Sequence, residues 1–264
     1  LIIDKQKHHI AYNDNTHTYW NVKTNEVYSS ITSIIKLFKQ DFDKLFFAKY
    51  KAIQELEPIY FQELKSIYGF KEVVNLYELD NYDNKQYITK TNNILMKWEA
   101  KNKEAITKGL NIHKEKENTI INNKSFTLFD TKYTYSNELL HNNKNEVLTE
   151  YIVYNDTYKL AGTVDLILKN DNNEIIIIDH KTNEKIDKKN FFSKMKFPLD
   201  HLDDCNFNHY SLQLSLYAYF IEKHNFTIKQ LYINHIKNNK DNYIEIPYLK
   251  QDIILMLECQ EGLW

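Results

Sequence analysis

Two aspartates and a lysine carry the chemistry that this 264-residue sequence most plainly offers. Ile175–Ile178 is an unbroken apolar run, the pattern of a strand covered on both faces. It ends in Asp179-His180-Lys181. Side chains alternate along a strand, so Asp179 and Lys181 share one face and His180 takes the other. Charges at the end of a buried strand are costly unless they meet a metal, a partner or solvent. The preceding strand holds Gly162-Thr163-Val164-Asp165. A three-residue loop, Asp171-Asn172-Asn173, pairs Asn170 with Glu174, and that antiparallel register puts Asp165 opposite Asp179. Directly opposed residues have Cβ atoms about 5 Å apart. Two carboxylates that close repel unless a cation sits between them. The hairpin therefore predicts a two-carboxylate site for a hard divalent cation, with Mg²⁺ (or Mn²⁺) the natural ion. Lys181 lies beside it, placed to polarise a water or neutralise a phosphate. The plain alternative is a hairpin with exposed acids and a salt-bridged lysine.

Two helical segments add polar groups at one-face spacing. Gly109, His113 and Glu117 are successive fourth residues in a run from Glu104 to about Glu117. His113 is a candidate third ligand, or a packed or surface histidine. Gly109 lies inside this helix, where glycine costs about 1 kcal/mol against alanine, so a close approach to its backbone is expected. Gln213 and Tyr217 are likewise four apart, able to hold a phosphate or a water, or to form a plain polar stripe.

The elements that must position these residues follow from periodicity. Short strands at Ile10–Tyr12, His17–Trp20 and Val27–Tyr28 are divided by turns at Asn13-Asp14-Asn15 and Lys23-Thr24-Asn25. Ser30 or Thr32 caps the next helix. Residues 42–105 read as mostly helical, with apolar positions such as Phe42, Leu45, Phe46 and Tyr50. Their stripes are packing surface, or a strand-binding groove where Lys and aromatics interleave. Strands at Val147–Tyr154, Tyr158–Lys169 and Glu174–Lys181 come next. A helix over about Asn208–Lys223, a strand at Leu231–Ile236, an edge strand at Tyr243–Ile246 and a closing helix at Ile253–Leu257 complete the chain. The fold class is α/β with a mixed sheet. Residues 1–103 are expected to form N-terminal strands and a helical lobe, and 104–264 the catalytic core, together one compact unit.

In order, these motifs resemble the RecB-like branch of the PD-(D/E)xK nuclease superfamily. That pattern is a helical Gly-x-x-x-His, then Gly-x-x-Asp, Asp/Glu-x-Lys and Gln-x-x-x-Tyr. Here they stand as Gly109–His113, Gly162–Asp165, Asp179–Lys181 and Gln213–Tyr217. The resemblance covers about residues 104–237, and Pro198–Leu202 through Tyr210–Leu214 is similar to bacteriophage-type members. It implies a restriction-endonuclease-like core of helix, three strands, helix, strand. It also implies His113, Asp165, Asp179 and the backbone carbonyl of His180 as metal ligands, Lys181 as the catalytic lysine, and Gln213 and Tyr217 near the scissile phosphate. Glu150 and Glu117 are further acids near this set; Glu150 sits where some relatives carry an extra one. The implied activity is Mg²⁺-dependent cleavage of DNA, most often from ends and with a single-strand preference, in recombination, repair or replication. A single-strand-binding or recombination protein is then an expected partner. A nucleic-acid-binding module without catalysis, or a nuclease acting on RNA, are the rival readings.

Composition bounds these expectations. Hydrophobic content of 42% fits a folded protein, and four glycines and three prolines argue against long flexible linkers. Net charge is −2, so any phosphate attraction must be local. All 34 residues of the Lys+Arg set are lysine, so phosphate contacts fall to Lys, backbone N–H and polar groups. Relatives with an iron–sulfur cluster use four cysteines; this chain has Cys205 and Cys259, and no cluster or disulfide framework is expected. The cysteine usage makes a reducing intracellular, cytoplasmic compartment the simpler expectation. No apolar run is long enough to span a bilayer, and Leu1–Asp4 has no signal-type core.

Overall fold

A computed structural model describes residues 9–13, 16 and 18–260. The first residues Leu1–Asp4, Asp14-Asn15 of the first expected turn and His17 of the second expected strand lie outside that set. The chain opens with β1 (Ile10–Asn13), β2 (Thr18–Asn21) and β3 (Val27–Ser30), an antiparallel meander. Ser30 then caps α1 (Ile31–Leu37): its side chain accepts from the Ser33 N–H and so satisfies one of the free donors at the helix start.

Residues 41–108 form a compact unit of their own. It holds α2 (Lys44–Leu56), α3 (Pro58–Tyr68), α4 (Glu72–Asn81) and the first part of α5 (Lys85–Asn123). Asp43 caps α2 by accepting from Phe46 N–H. Pro58 sits in the first turn of α3, where its missing N–H costs nothing, and Gly69 at φ +80 ends it. The apolar stripes expected here are packing surface in part: Ala48, Ile53, Phe61, Val73 and Tyr77 form this unit's buried core.

The second unit comprises residues 1–40 and 109–264. The first forty residues belong to this unit because β3 pairs with the central strand of the large sheet. The helix expected over 104–117 is the C-terminal part of α5; with no Pro and mostly Lys, Glu, Asn, Ile and Leu, nothing breaks it before Lys124. A hairpin of β4 (Ser125–Leu128) and β5 (Thr131–Tyr135) follows, where no strand was expected.

The sheet centre is β6 (Glu146–Asn155), β7 (Leu160–Lys169) and β8 (Glu174–Lys181). Strand β7 pairs antiparallel with β6 along its length. On its other edge it pairs with β3 at Leu160–Ala161 and with β8 from Leu166 to Lys169. The β7–β8 register is Leu166↔Ile178 through Lys169↔Ile175, closed by the Asn170 N–H on the Glu174 carbonyl at 3.0 Å, as the loop length predicts. At the loop end, Lys169 is fully buried and donates to the carbonyls of Asn142 (3.0 Å) and Lys144 (2.7 Å), beside Glu146 at 3.3 Å.

Helix α6 (Asn206–Glu222) crosses over to β9 (Thr227–His235), which runs parallel to β8; β10 (Tyr243–Ile246) is the edge and α7 (Lys250–Gln260) closes the chain. Every residue of α6 from Ser211 to Ile221 is buried. Its apolar side chains and those of α1, β6, β7 and β9 make the main core. The result is the expected restriction-endonuclease-like α/β architecture with a mixed sheet. No helix among the described residues is long and apolar enough to cross a membrane.

Candidate active site

The sheet forks where the motif residues lie. Between Ala161, where β3 stops, and Leu166, where β8 begins to pair, the edge of β7 has no strand beside it. Gly162–Asp165 occupies that gap, and α6 packs into it. A Cβ at Gly162 would sit 2.7 Å from Cε1 of Tyr217 and 3.1 Å from Cδ1 of Ile31, so only glycine lets the Tyr217 ring lie against the strand. Gly109 behaves otherwise: an added Cβ would meet only Thr182 Oγ1, at an ordinary 3.5 Å. The close backbone approach expected there is found at Gly162 instead.

Asp165 accepts from the backbone N–H of His180 through Oδ2 at 2.6 Å. Its other oxygen faces His113 Nδ1 at 3.4 Å. His113, on α5, uses its second nitrogen as well, donating from Nε2 to the His180 carbonyl at 2.9 Å. The helix and the strand end are thereby tied at three of the predicted positions. Burial alone would raise the Asp165 carboxyl, but the hydrogen bond and charge of His113 outweigh it and hold it at about 2. Burial would likewise lower His113, and the Asp165 interaction overrides it, raising the ring to about 9.

Asp179 is buried and ion-pairs with Lys181 at 2.5 Å. It also accepts from Gln213 Nε2 at 3.2 Å, which in turn donates to the Tyr217 hydroxyl at 3.0 Å. Burial, reinforced by the negative charge of Asp165, pushes its carboxyl up to about 6, against the pull of Lys181. The two aspartates thus sit in contrasting environments. Lys181 would lose its proton more readily through burial, but Asp179 and Asp165 reverse that and keep it charged. Its ammonium also lies 4.6 Å from the centre of the Tyr210 ring and 3.4 Å from Gln213 Oε1.

Glu150 stands on β6 where Asp165 would be its cross-strand partner, the ladder resuming at Thr149↔Leu166 and Tyr151↔Val164. Its φ is +49, a left-handed conformation in mid-strand that a non-glycine residue adopts at a cost of about 1–3 kcal/mol. One ligating atom from each of His113, Glu150 and Asp165 lies within 4.8 Å of the others. Oxygen and nitrogen donors of this kind, next to the buried carboxylate of Asp179, fit a hard divalent cation. Glu117 lies outside this group.

Some neighbours carry no motif. Tyr210, Gln213 and Tyr217 follow a three- and four-residue spacing, so Tyr210 was legible as part of the same helix face. His180 presents Nδ1 to Asn234 Nδ2 at 3.2 Å, and Asn234 leads to Asp241, which Lys116 pairs at 2.6 Å. Burial lowers the His180 ring to about 4, so it stays neutral and accepts from Asn234. Nothing in the sequence marks that chain, because it joins three distant segments.

The sequence profile of the PD-(D/E)XK nuclease superfamily matches residues 78–253, a span holding all four motifs and both acids of the hairpin. The chain belongs to the PD-(D/E)XK nuclease superfamily. Membership makes it a nuclease by family, a phosphodiester hydrolase whose substrate is nucleic acid. Divalent metals are typical of the superfamily, and the acidic cluster offers a place for one. No curated protein matches the chain. Among solved structures, SSO0001 is 14% identical with a TM-score of 0.30, the match covering 89% of this chain and 84% of the other. A protein from Eubacterium rectale, provisionally described as an exonuclease, is 10% identical with a TM-score of 0.31, over 89% and 79% of the two chains.

Proposed function

We propose that this superfamily member is a Mg²⁺-dependent deoxyribonuclease that removes nucleotides from DNA ends, with a preference for single strands, in recombination, repair or replication. The observation that carries the reading is the pair of aspartates in unlike surroundings, one bound to His113 and one to Lys181. His113, Asp165, Glu150 and Asp179, with the His180 carbonyl, are the groups that would hold the cation. When bound, it would supply Lewis-acid stabilisation of a phosphorane-like charge and a more acidic water.

The remaining roles belong to the chain. Lys181 stays an ammonium, so it donates to a water or a phosphate oxygen rather than taking a proton. Asp179, Gln213 and Tyr210 limit where that ammonium can go. Tyr217 and Gln213 restrain Asp179 from the opposite side through one hydrogen-bonded relay. Orienting groups fixed in this way cost little to reorganise at the moment of reaction.

A panel of linear and circular, single- and double-stranded DNA and the matching RNA, with Mg²⁺ or EDTA, tests the reading. Linear DNA losing mononucleotides from its ends while covalently closed circles persist is the expected pattern. Cuts within circles would replace the exonuclease assignment, and preferential loss of RNA would replace the substrate.

A further inference from the structure

The segment that joins β8 to α6 links Lys181 to the helix of Gln213 and Tyr217, and it presents aromatic rings to solvent. Phe191, Phe192 and Phe197 are 86%, 98% and 76% exposed. They are held there by an ordered frame. Met195 N–H donates to the Leu202 carbonyl at 3.0 Å, Asp204 N–H to the Ser193 carbonyl at 3.0 Å, and Lys196 N–H to the Phe38 carbonyl at 2.7 Å. Asn190 Nδ2 donates to the Asp204 carbonyl at 2.8 Å, and Gln40 Nε2 to the Lys194 carbonyl at 2.9 Å. Three phenylalanines fixed in water lose hydrophobic stabilisation with no return inside the fold. Lys188 and Lys189 precede Phe191 and Phe192, and Lys194 and Lys196 precede Phe197. Over the whole segment five lysines are balanced by five acids, and Lys194 pairs with Asp203 at 2.5 Å.

Rings alone would suit many partners. Rings set among lysines suit a polyanion that also offers flat apolar faces, and an unpaired nucleic-acid strand is that polymer. A duplex buries its base faces and would leave these rings no surface to stack on. We propose that Phe191, Phe192 and Phe197 form a stacking platform for unpaired bases, with the neighbouring lysines following the phosphates, so that a single strand is held beside Lys181. This rests on the nuclease reading for the location of the chemistry, but not for the binding itself.

Fluorescence anisotropy with a labelled oligothymidylate in EDTA tests it on the full chain. Phe191→Ala/Phe192→Ala should raise Kd about tenfold or more, and Phe197→Ala should add to that. Thermal melting should be unchanged, since the rings bury little. Equal oligothymidylate affinity in wild type and the double variant would overturn the proposal. So would an equal loss of affinity for blunt duplex, or wild-type dimers in sedimentation that the double variant abolishes without a change in strand binding. Should the rings prove necessary for binding while wild type cleaves no nucleic acid, the platform stands and the nuclease reading fails.

Discussion

Asp165 and Asp179 are chemically alike and electrostatically opposite. The first is held at about 2 by His113 and the second is raised to about 6 by burial. In the metal-free protein this makes stability depend on pH in a definite direction. A group raised above its ordinary value contributes stability fully present below the ordinary value and lost as pH rises through the raised one. Asp179, raised from 3.8, therefore loses its contribution as pH passes about 6, and His113, raised from 6.5, as pH passes about 9. The loss at Asp179 falls between about pH 4 and 6, where the buried neutral His180, lowered to about 4, acts in the opposite direction. Thermal melting in EDTA should therefore fall chiefly between about pH 6.5 and 9, and His113→Asn should flatten that fall. Added Mg²⁺ or Mn²⁺ should raise Tm more at pH 8 than at pH 5.5, because the cation needs the deprotonated Asp179. A Tm independent of pH over that range would contradict the assigned environments. The β7–β8 register was legible in the sequence because a three-residue loop sets it over a short distance, but the ladder ends at Leu166↔Ile178, short of Asp165 and Asp179. The left-handed Glu150 was not legible, since its conformation answers to a cross-strand neighbour and leaves no local sequence signal.

The elements explain why motifs so far apart converge. The fork between β3 and β8 leaves Gly162–Asp165 open on one edge, and α6 fills it. Gly162→Ala should push Tyr217 away, costing about 1–3 kcal/mol in urea unfolding, with most of it recovered when Tyr217→Leu is added. Additive losses would show that Tyr217 is not what the glycine accommodates. At the other end of β7, Lys169→Ala removes the cation from a buried site and strands Glu146, a loss of about 3–5 kcal/mol. A change under 1 kcal/mol would mean that the loop there is solvated. Strands β6 to β9 and helix α6 were legible because their apolar patterns are long and strongly periodic. The β4–β5 hairpin was missed, as its strands are four and five residues with Asp130 between. The fork itself was illegible: it depends on β3 pairing with a strand more than a hundred residues away.

At the scale of the whole molecule, the chain carries one helical unit, residues 41–108, and one sheet-centred unit with the motifs. The sheet-centred unit contains the motif residues and also Phe191, Phe192 and Phe197. Substrate class is the least legible property, because it depends on surfaces, where exposed side chains leave no periodic trace. The claim most open to direct test is that Asp179 and Lys181 perform hydrolysis and are not merely a buried ion pair. End-labelled linear DNA incubated with Mg²⁺ and wild type, Asp179→Asn or Lys181→Ala, each checked for unchanged circular dichroism, decides it. Release of label by wild type, and a rate lower by about 10²-fold or more in both variants, is the expected result. Wild-type rates in both folded variants would contradict it.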